Sequence, residues 1–369
     1  MAKVYLHIGA PKTATSTLQS VLAASYGKLL AQGVLYPRLL RHGDAHHTLV
    51  CDLIEQYQGH SMADLWYGER TRGEAWQDLQ REIQAQGQPV DTIILSSELF
   101  FGQTRNLQEM LADIRDRLSG HELKVVVYLR RQDQLYSSFF NQDIKGVRQW
   151  EFSAYQFYQT HQIFQYDYDE MLAVWSEAVG RENILIRPYE PGQWAGGDIV
   201  RDFCATTGIA PLHGGRTSHN ESLGATQLYV KQCLNRVGFD KGDNEAVLSL
   251  LLKLHPEEPL KQCSYIHRGL YRDYRNNWLQ VNQRLASRYL DDTPLFLDPI
   301  PAPEKVSIYR TDPREVLQFL LAMFAHFSRR PEDRHCSLFA RAAMLMLAEQ
   351  DLWESFGLDN RCPTLLQWI

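Results

Sequence analysis

Near its start the chain runs Val4-Tyr5-Leu6-His7-Ile8-Gly9-Ala10-Pro11-Lys12-Thr13-Ala14-Thr15-Ser16-Thr17-Leu18-Gln19, and this string constrains the fold more than any other. Alternating Val4, Leu6 and Ile8 suit a buried strand, and Gly9 with Pro11 stops it. A helix then begins. Thr13, Thr15, Ser16 and Thr17 crowd its start, where free backbone N–H groups and the positive end of the helix dipole favour an anion. Lys12 adds a mobile full charge, and the hydroxyls add donors suited to phosphate oxygens. The string is not the nucleoside-triphosphatase loop, which needs Gly, four residues, then Gly-Lys-Ser/Thr; here Gly9 is followed by Ala10-Pro11-Lys12.

Other segments repeat the alternation of strand and helix. Short Gly33-Val34-Leu35-Tyr36-Pro37 reads as a strand ended by proline, followed by a His-rich loop from Arg41 to His47 and a helix from about Thr48 to Tyr57. Trp76 to Gln86 and Leu107 to Leu118 read as helices. Thr92-Ile93-Ile94-Leu95-Ser96-Ser97-Glu98 reads as a buried strand that delivers polar groups at its C-terminal end. Leu123 to Arg130 is nearly continuous in apolar β-formers, as in a strand covered on both faces, and Asn183 to Pro188 is another strand. This order predicts an α/β fold with a mostly parallel sheet flanked by helices, whose ligands bind beyond the carboxyl ends of the strands. After the punctuation at Pro299 to Pro303, Glu315 to Phe327 and Ala340 to Trp353 read as amphipathic helices. We therefore expect one domain over residues 1–298 and a helical C-terminal extension or cap over residues 299–369.

A second anion element follows the Leu123 strand. Ser138 lies eight positions after Arg130, about two helical turns allowing for the turn between, so a guanidinium and a hydroxyl can meet one phosphate. Together, the Lys12 loop and the Arg130 to Ser138 pair resemble the two phosphate elements of sulfotransferases that use 3′-phosphoadenosine 5′-phosphosulfate (PAPS). In that family the loop is usually written Pro-Lys-Thr/Ser-Gly-Thr/Ser-Thr/Ser; Ala14 stands where Gly is common, which requires a backbone conformation there that tolerates a Cβ. Gln132 stands where the family usually has proline. The resemblance runs to about residue 290 through Glu151-Phe152-Ser153, Leu172-Ala173-Val174-Trp175, Arg187-Pro188-Tyr189-Glu190, Asp198 to Phe203 and His219 to Leu223, and is similar to bacterial members of the family.

That resemblance implies a P-loop-like sulfotransferase fold and transfer of a sulfuryl group from PAPS to a hydroxyl or amine acceptor, such as a carbohydrate or a lipid-linked glycan. Pro11, Lys12, Thr13, Ala14, Thr15, Ser16 and Thr17 would hold the 5′-phosphosulfate end, Arg130 and Ser138 the 3′-phosphate, and Tyr189 would neighbour the adenine. Lys12 would neutralise the leaving phosphate. An alcohol acceptor needs a general base, for which Glu98 at a strand end and the His46-His47 pair are the candidates. A nucleotide-dependent kinase and a non-catalytic glycan- or nucleotide-binding protein on the same fold are the alternative functions. The aromatic run Trp150, Phe152, Tyr155, Phe157, Tyr158, Phe164, Tyr166 and Tyr168 suits an acceptor cleft, helix core or a homodimer face.

Composition sets the remaining expectations. A net charge of −6 gives no overall reason to bind nucleic acid. The six cysteines show no C-x-x-C pair and the histidines no H-E-x-x-H spacing, so no metal site is expected. The first strand begins almost at residue 1, and no apolar run is long enough to span a bilayer, which points to a cytoplasmic protein.

Overall fold

The structure is a computed structural model and describes residues 1–101, 105–146, 148–161, 167–212, 223–254, 263–266, 268–308, 312–329 and 335–350. Its strands are β1 (Lys3–His7), β2 (Val34–Leu35), β3 (Thr92–Ser96), β4 (Glu122–Leu129), β5 (Ile184–Pro188), β6 (Cys263–Ser264) and β7 (Ser307–Ile308). The first helices are α1 (Thr15–Ala24), α2 (Tyr26–Leu30), α3 (His47–Gln58), α4 (Ala75–Gln84), α5 (Leu107–Arg117), α6 (Gln132–Lys145) and α7 (Ala154–His161). They are followed by α8 (Tyr168–Val179), α9 (Ile199–Thr207), α10 (Ala225–Val237), α11 (Asn244–Leu254), α12 (Arg268–Tyr289), α13 (Pro313–Phe327) and α14 (His335–Gln350). The last of these starts five residues before the expected Ala340, and Trp353, its expected end, lies outside the described residues. Phe164, Tyr166 and residues 219–222 also lie outside them.

The chain forms two compact units: residues 1–135, 166–217 and 276–300, and residues 136–165, 218–275 and 301–369. In the first, five strands make an all-parallel sheet in the order β2-β3-β1-β4-β5. The fold is α/β. Side chains of a strand alternate between faces, so Tyr5, Ile94, Val126 and Tyr128 share the face covered by Leu18 and Leu22 of α1 and Val200 and Phe203 of α9. α8 packs with β4 and β5, and α5 packs with α3 and α8.

Strand order dictates where a ligand fits. From β1 the chain crosses to β2 on one side, and from β3 it crosses back over β1 to β4 on the other, so the crossovers diverge at β1. Such a switch point leaves a crevice beyond the carboxyl ends of the strands. The loop after β1, the polar groups after β3 and Arg130 after β4 all stand at that edge.

The second unit is mostly helical, with a core from α10, α11, α13 and α14 that includes Leu234, Val247, Leu320, Phe324, Phe339 and Met346. Buried within it is Lys231, whose Nζ donates to the Ile144 carbonyl at 3.2 Å and to Asn235 Oδ1 and lies 4.7 Å from the Phe239 ring centroid. It caps the last turn of α6, where helix carbonyls lack intrahelical partners. Burial pushes its ammonium down from 10.5 to about 7. Between those two values the unfolded chain binds a proton that the folded chain does not, so stability rises with pH across the window and this contribution is lost as pH falls. We expect a gain on the order of 4 kcal/mol by urea titration from the lower to the upper end, and a flattened slope in Lys231→Met.

Among the described residues no helix is long and apolar enough to cross a membrane. Cys51, Cys204, Cys233 and Cys336 are buried.

Candidate functional site

The anion loop takes its shape from three consecutive demands. β1 ends at His7, Gly9 turns at φ 37°, and Lys12 and Ala14 both adopt left-handed φ of 67° and 58° before α1 begins at Thr15. A Cβ at Gly9 would come 2.5 Å from Thr15 Cγ2, so the turn folds back against the helix start and only glycine fits. Ala14 lies in the left-handed region, which a residue with a Cβ can adopt. It holds the left-handed conformation that glycine holds without penalty, at a cost of about 1 kcal/mol for its Cβ.

The hydroxyls near the helix start play unequal parts. Thr13 is buried before the helix rather than in its first turn, and its Oγ1 donates to the Ala10 carbonyl at 2.5 Å, tying the loop back on itself. Thr15 is buried, Thr17 half-buried and Ser16 exposed; Pro11 and Lys12 are half-buried. α1 has no side-chain cap and no acidic residue in its first turn, which suits an anion at its N-terminal N–H groups.

Arg130 leaves the end of β4 and donates from Nη1 to the Lys12 carbonyl at 3.1 Å. Its guanidinium lies 5.3 Å from the Tyr189 ring centroid, and its Nε is buried with no hydrogen-bond partner among the described residues. Tyr168 donates from its hydroxyl to the Arg130 carbonyl at 2.7 Å. Burial lowers the pKa of Arg130, with Tyr189 opposing, yet a guanidinium stays charged near neutrality. Tyr189 follows β5, donates its N–H to the Leu129 carbonyl at 2.7 Å and tilts against Trp194 with ring centroids 5.1 Å apart. The first unit thus brings Lys12, Arg130 and Tyr189 together. Ser138 is half-buried on the part of α6 that belongs to the second unit.

A second polar cluster stands at the end of β3. Glu98 opens a short turn whose start is capped by Ser97, Oγ accepting from the Leu99 N–H at 3.3 Å. Gln19 of α1 donates from Nε2 to Glu98 Oε2 at 2.9 Å and to Ser96 Oγ at 3.2 Å. Ser96 Oγ is also hydrogen-bonded to His7 Nδ1 at 2.8 Å. His7 Nε2 is buried with no hydrogen-bond partner among the described residues, 3.4 Å from where a Gly9 Cβ would stand. Burial lowers the pKa of His7 to about 4, so it stays neutral.

The two histidines proposed together have different surroundings. His46 is fully buried and accepts at Nδ1 from the Ser96 N–H at 3.0 Å, which fixes its proton on Nε2, 2.9 Å from the Pro37 carbonyl. Its own N–H donates to the Ser96 carbonyl at 2.8 Å, so it ties the loop after β2 to β3; burial takes its pKa down to about 3. His47 begins α3 with Nδ1 2.8 Å from Ser97 Oγ and Nε2 3.8 Å from Glu98 Oε1. Burial lowers its pKa while Glu98 pulls it back up. The half-buried Trp66 indole closes one side, 5.1 Å from the His47 ring and 5.0 Å from His42.

Sequence reasoning did not single out Gln19, His7, Ser97 or Trp66 as site residues. Gln19 left one signal: a polar residue one turn after Thr15 and next to Leu18, on the helix face that is buried. Among the aromatic run, Phe157, Tyr158 and Tyr168 are buried while Phe152 and Tyr155 are exposed.

No family model matches the chain. An uncharacterized protein of Archaeoglobus fulgidus is 25% identical over 232 residues, and the match covers 61% of this chain and 61% of that relative's length. Among solved structures, the sulfotransferase from Alicyclobacillus acidocaldarius is similar with a TM-score of 0.38 and 15% identity, over 69% of this chain and 96% of that one.

Proposed function

We propose that the chain is a sulfotransferase that takes PAPS as co-substrate and sulfates a hydroxyl acceptor, a sugar hydroxyl foremost. The observation that carries this reading is the pairing of two anion-binding elements at one sheet edge: the Lys12 loop before α1, and Arg130, whose Nη1 holds the Lys12 carbonyl while its Nε stays unpaired. Left-handed Lys12 and Ala14 give the loop the kind of backbone turn from which successive N–H groups can form an anion-binding concavity. Ser138 is assigned to the 3′-phosphate with Arg130 on the sequence spacing alone, and Tyr189 to the adenine face.

PAPS supplies the sulfuryl group. Glu98 takes the proton from the acceptor hydroxyl, as a carboxylate at hydrogen-bond reach can. Lys12, with the N–H groups of Thr13 to Thr17, neutralises the negative charge left on the phosphate oxygen when its bond to sulfur breaks. His47 keeps its proton on Nε2, the side facing the Glu98 carboxylate, and there donates to the acceptor oxygen. His46, with both ring nitrogens committed to backbone, holds the loop that carries His47.

The direct test is mass spectrometry of a panel of sugar and alcohol acceptors incubated with PAPS, looking for an added sulfuryl group and release of adenosine 3′,5′-bisphosphate. Transfer that needs no divalent cation is expected; phosphorylation of the same acceptors from ATP would favour a kinase instead. Arg130→Ala checks the nucleotide end. The wild type should prefer adenosine 3′,5′-bisphosphate over AMP, and the variant should lose about 2 kcal/mol or more of that preference by calorimetry. An unchanged preference would remove Arg130 from the 3′-phosphate site.

A further inference from the structure

Gln19 stands where the anion loop and the proposed base meet. It is buried on α1, one turn after Thr15, and its amide nitrogen spans Glu98 Oε2 at 2.9 Å and Ser96 Oγ at 3.2 Å. A carboxylate oxygen can only accept, so the nitrogen of the amide must face Glu98. With Oε2 held in this way, Oε1 stands 3.8 Å from His47 Nε2. That separation is too long for a hydrogen bond between the two, but an oxygen atom can sit about 2.8 Å from both. Ser97 fixes the other side, its Oγ 2.8 Å from His47 Nδ1.

We propose that Gln19 is a positioning residue that tethers Glu98 away from His47 and so keeps open a seat, between Glu98 Oε1 and His47 Nε2, for the acceptor hydroxyl. This rests on the assignment of Glu98 as the base. Because Gln19 and the loop amides belong to one helix, the same rigid element that would hold the sulfuryl donor also sets the base, and the distance between them is fixed by α1. With the amide deleted, Glu98 loses its hydrogen bond to α1 and can close on His47, filling the seat with an internal ion pair.

The titratable groups facing His47 are Glu98 and His42. The test therefore follows the His47 ring by NMR across pH, in the wild type and in Gln19→Met, which keeps the volume and deletes the amide. Closure of Glu98 should raise the His47 midpoint by about one pH unit. The rise should vanish when Glu98→Gln is added. Binding of adenosine 3′,5′-bisphosphate, measured by calorimetry on the same samples, should stay within about twofold of the wild type.

An unmoved His47 midpoint in folded Gln19→Met would overturn the proposal, as would a rise that persists in the Glu98→Gln background. If Gln19→Met does not fold, Gln19→Asn, which keeps the amide but is too short to reach Oε2, is held to the same outcomes. Failure of the wild type to bind the nucleotide would instead count against the sulfotransferase reading, while the His47 titration would still decide whether Gln19 holds Glu98.

Discussion

Lys12→Ala should lower sulfuryl transfer by roughly 10³-fold while leaving the fold intact. The side chain is half-buried at the mouth of the loop and belongs to neither apolar core, so its loss leaves the packing of β1 and α1 untouched. Its backbone is what the loop needs: the Lys12 carbonyl accepts from Arg130, and its left-handed φ of 67° is no harder for alanine than for lysine. The charge acts on the oxygen that becomes negative as the bond to sulfur breaks, so the loss should fall on kcat more than on nucleotide binding. Circular dichroism and single-turnover rates check both halves. A variant that unfolds, or one with full activity, would contradict the role.

Glu98→Gln should reduce turnover by roughly 10²-fold or more with nucleotide affinity little changed. The amide preserves size and can still accept from Gln19, but it cannot take a proton. His47→Ala should be milder, because it removes a donor to the acceptor oxygen and not the base. A dead His47→Ala beside an active Glu98→Gln would move the base to the histidine and leave the rest of the site as described. His46→Ala should show chiefly as lost stability, since the ring spans the Ser96 N–H and the Pro37 carbonyl in a fully buried position.

Much of this site is legible in the residues because its strongest determinants are local. The strand, turn and helix from Val4 to Gln19 follow from alternation, Gly9 and clustered hydroxyls, and the Leu123 strand ends at Arg130 as its apolar run indicates. Local propensity does not reveal a left-handed Ala14, because the conformation is imposed by the closing of Gly9 on Thr15. Nor does it separate His46 from His47. Adjacent in the chain, they diverge because His46 precedes α3 and turns back to β3, while His47 is its first residue and faces Glu98. The contact between Gln19 and Glu98 joins residues 79 positions apart and exists only because β1 and β3 are neighbours in register, His7 opposite Ser96.

The central claim is that the Lys12 loop and Arg130 together hold a nucleotide carrying a 3′-phosphate. Isothermal titration of the wild type against adenosine 3′,5′-bisphosphate and ATP, with and without Mg²⁺, tests it most directly. We expect adenosine 3′,5′-bisphosphate to bind tightly without Mg²⁺ and ATP not to bind. Tight, Mg²⁺-dependent binding of ATP with no binding of adenosine 3′,5′-bisphosphate would contradict the account.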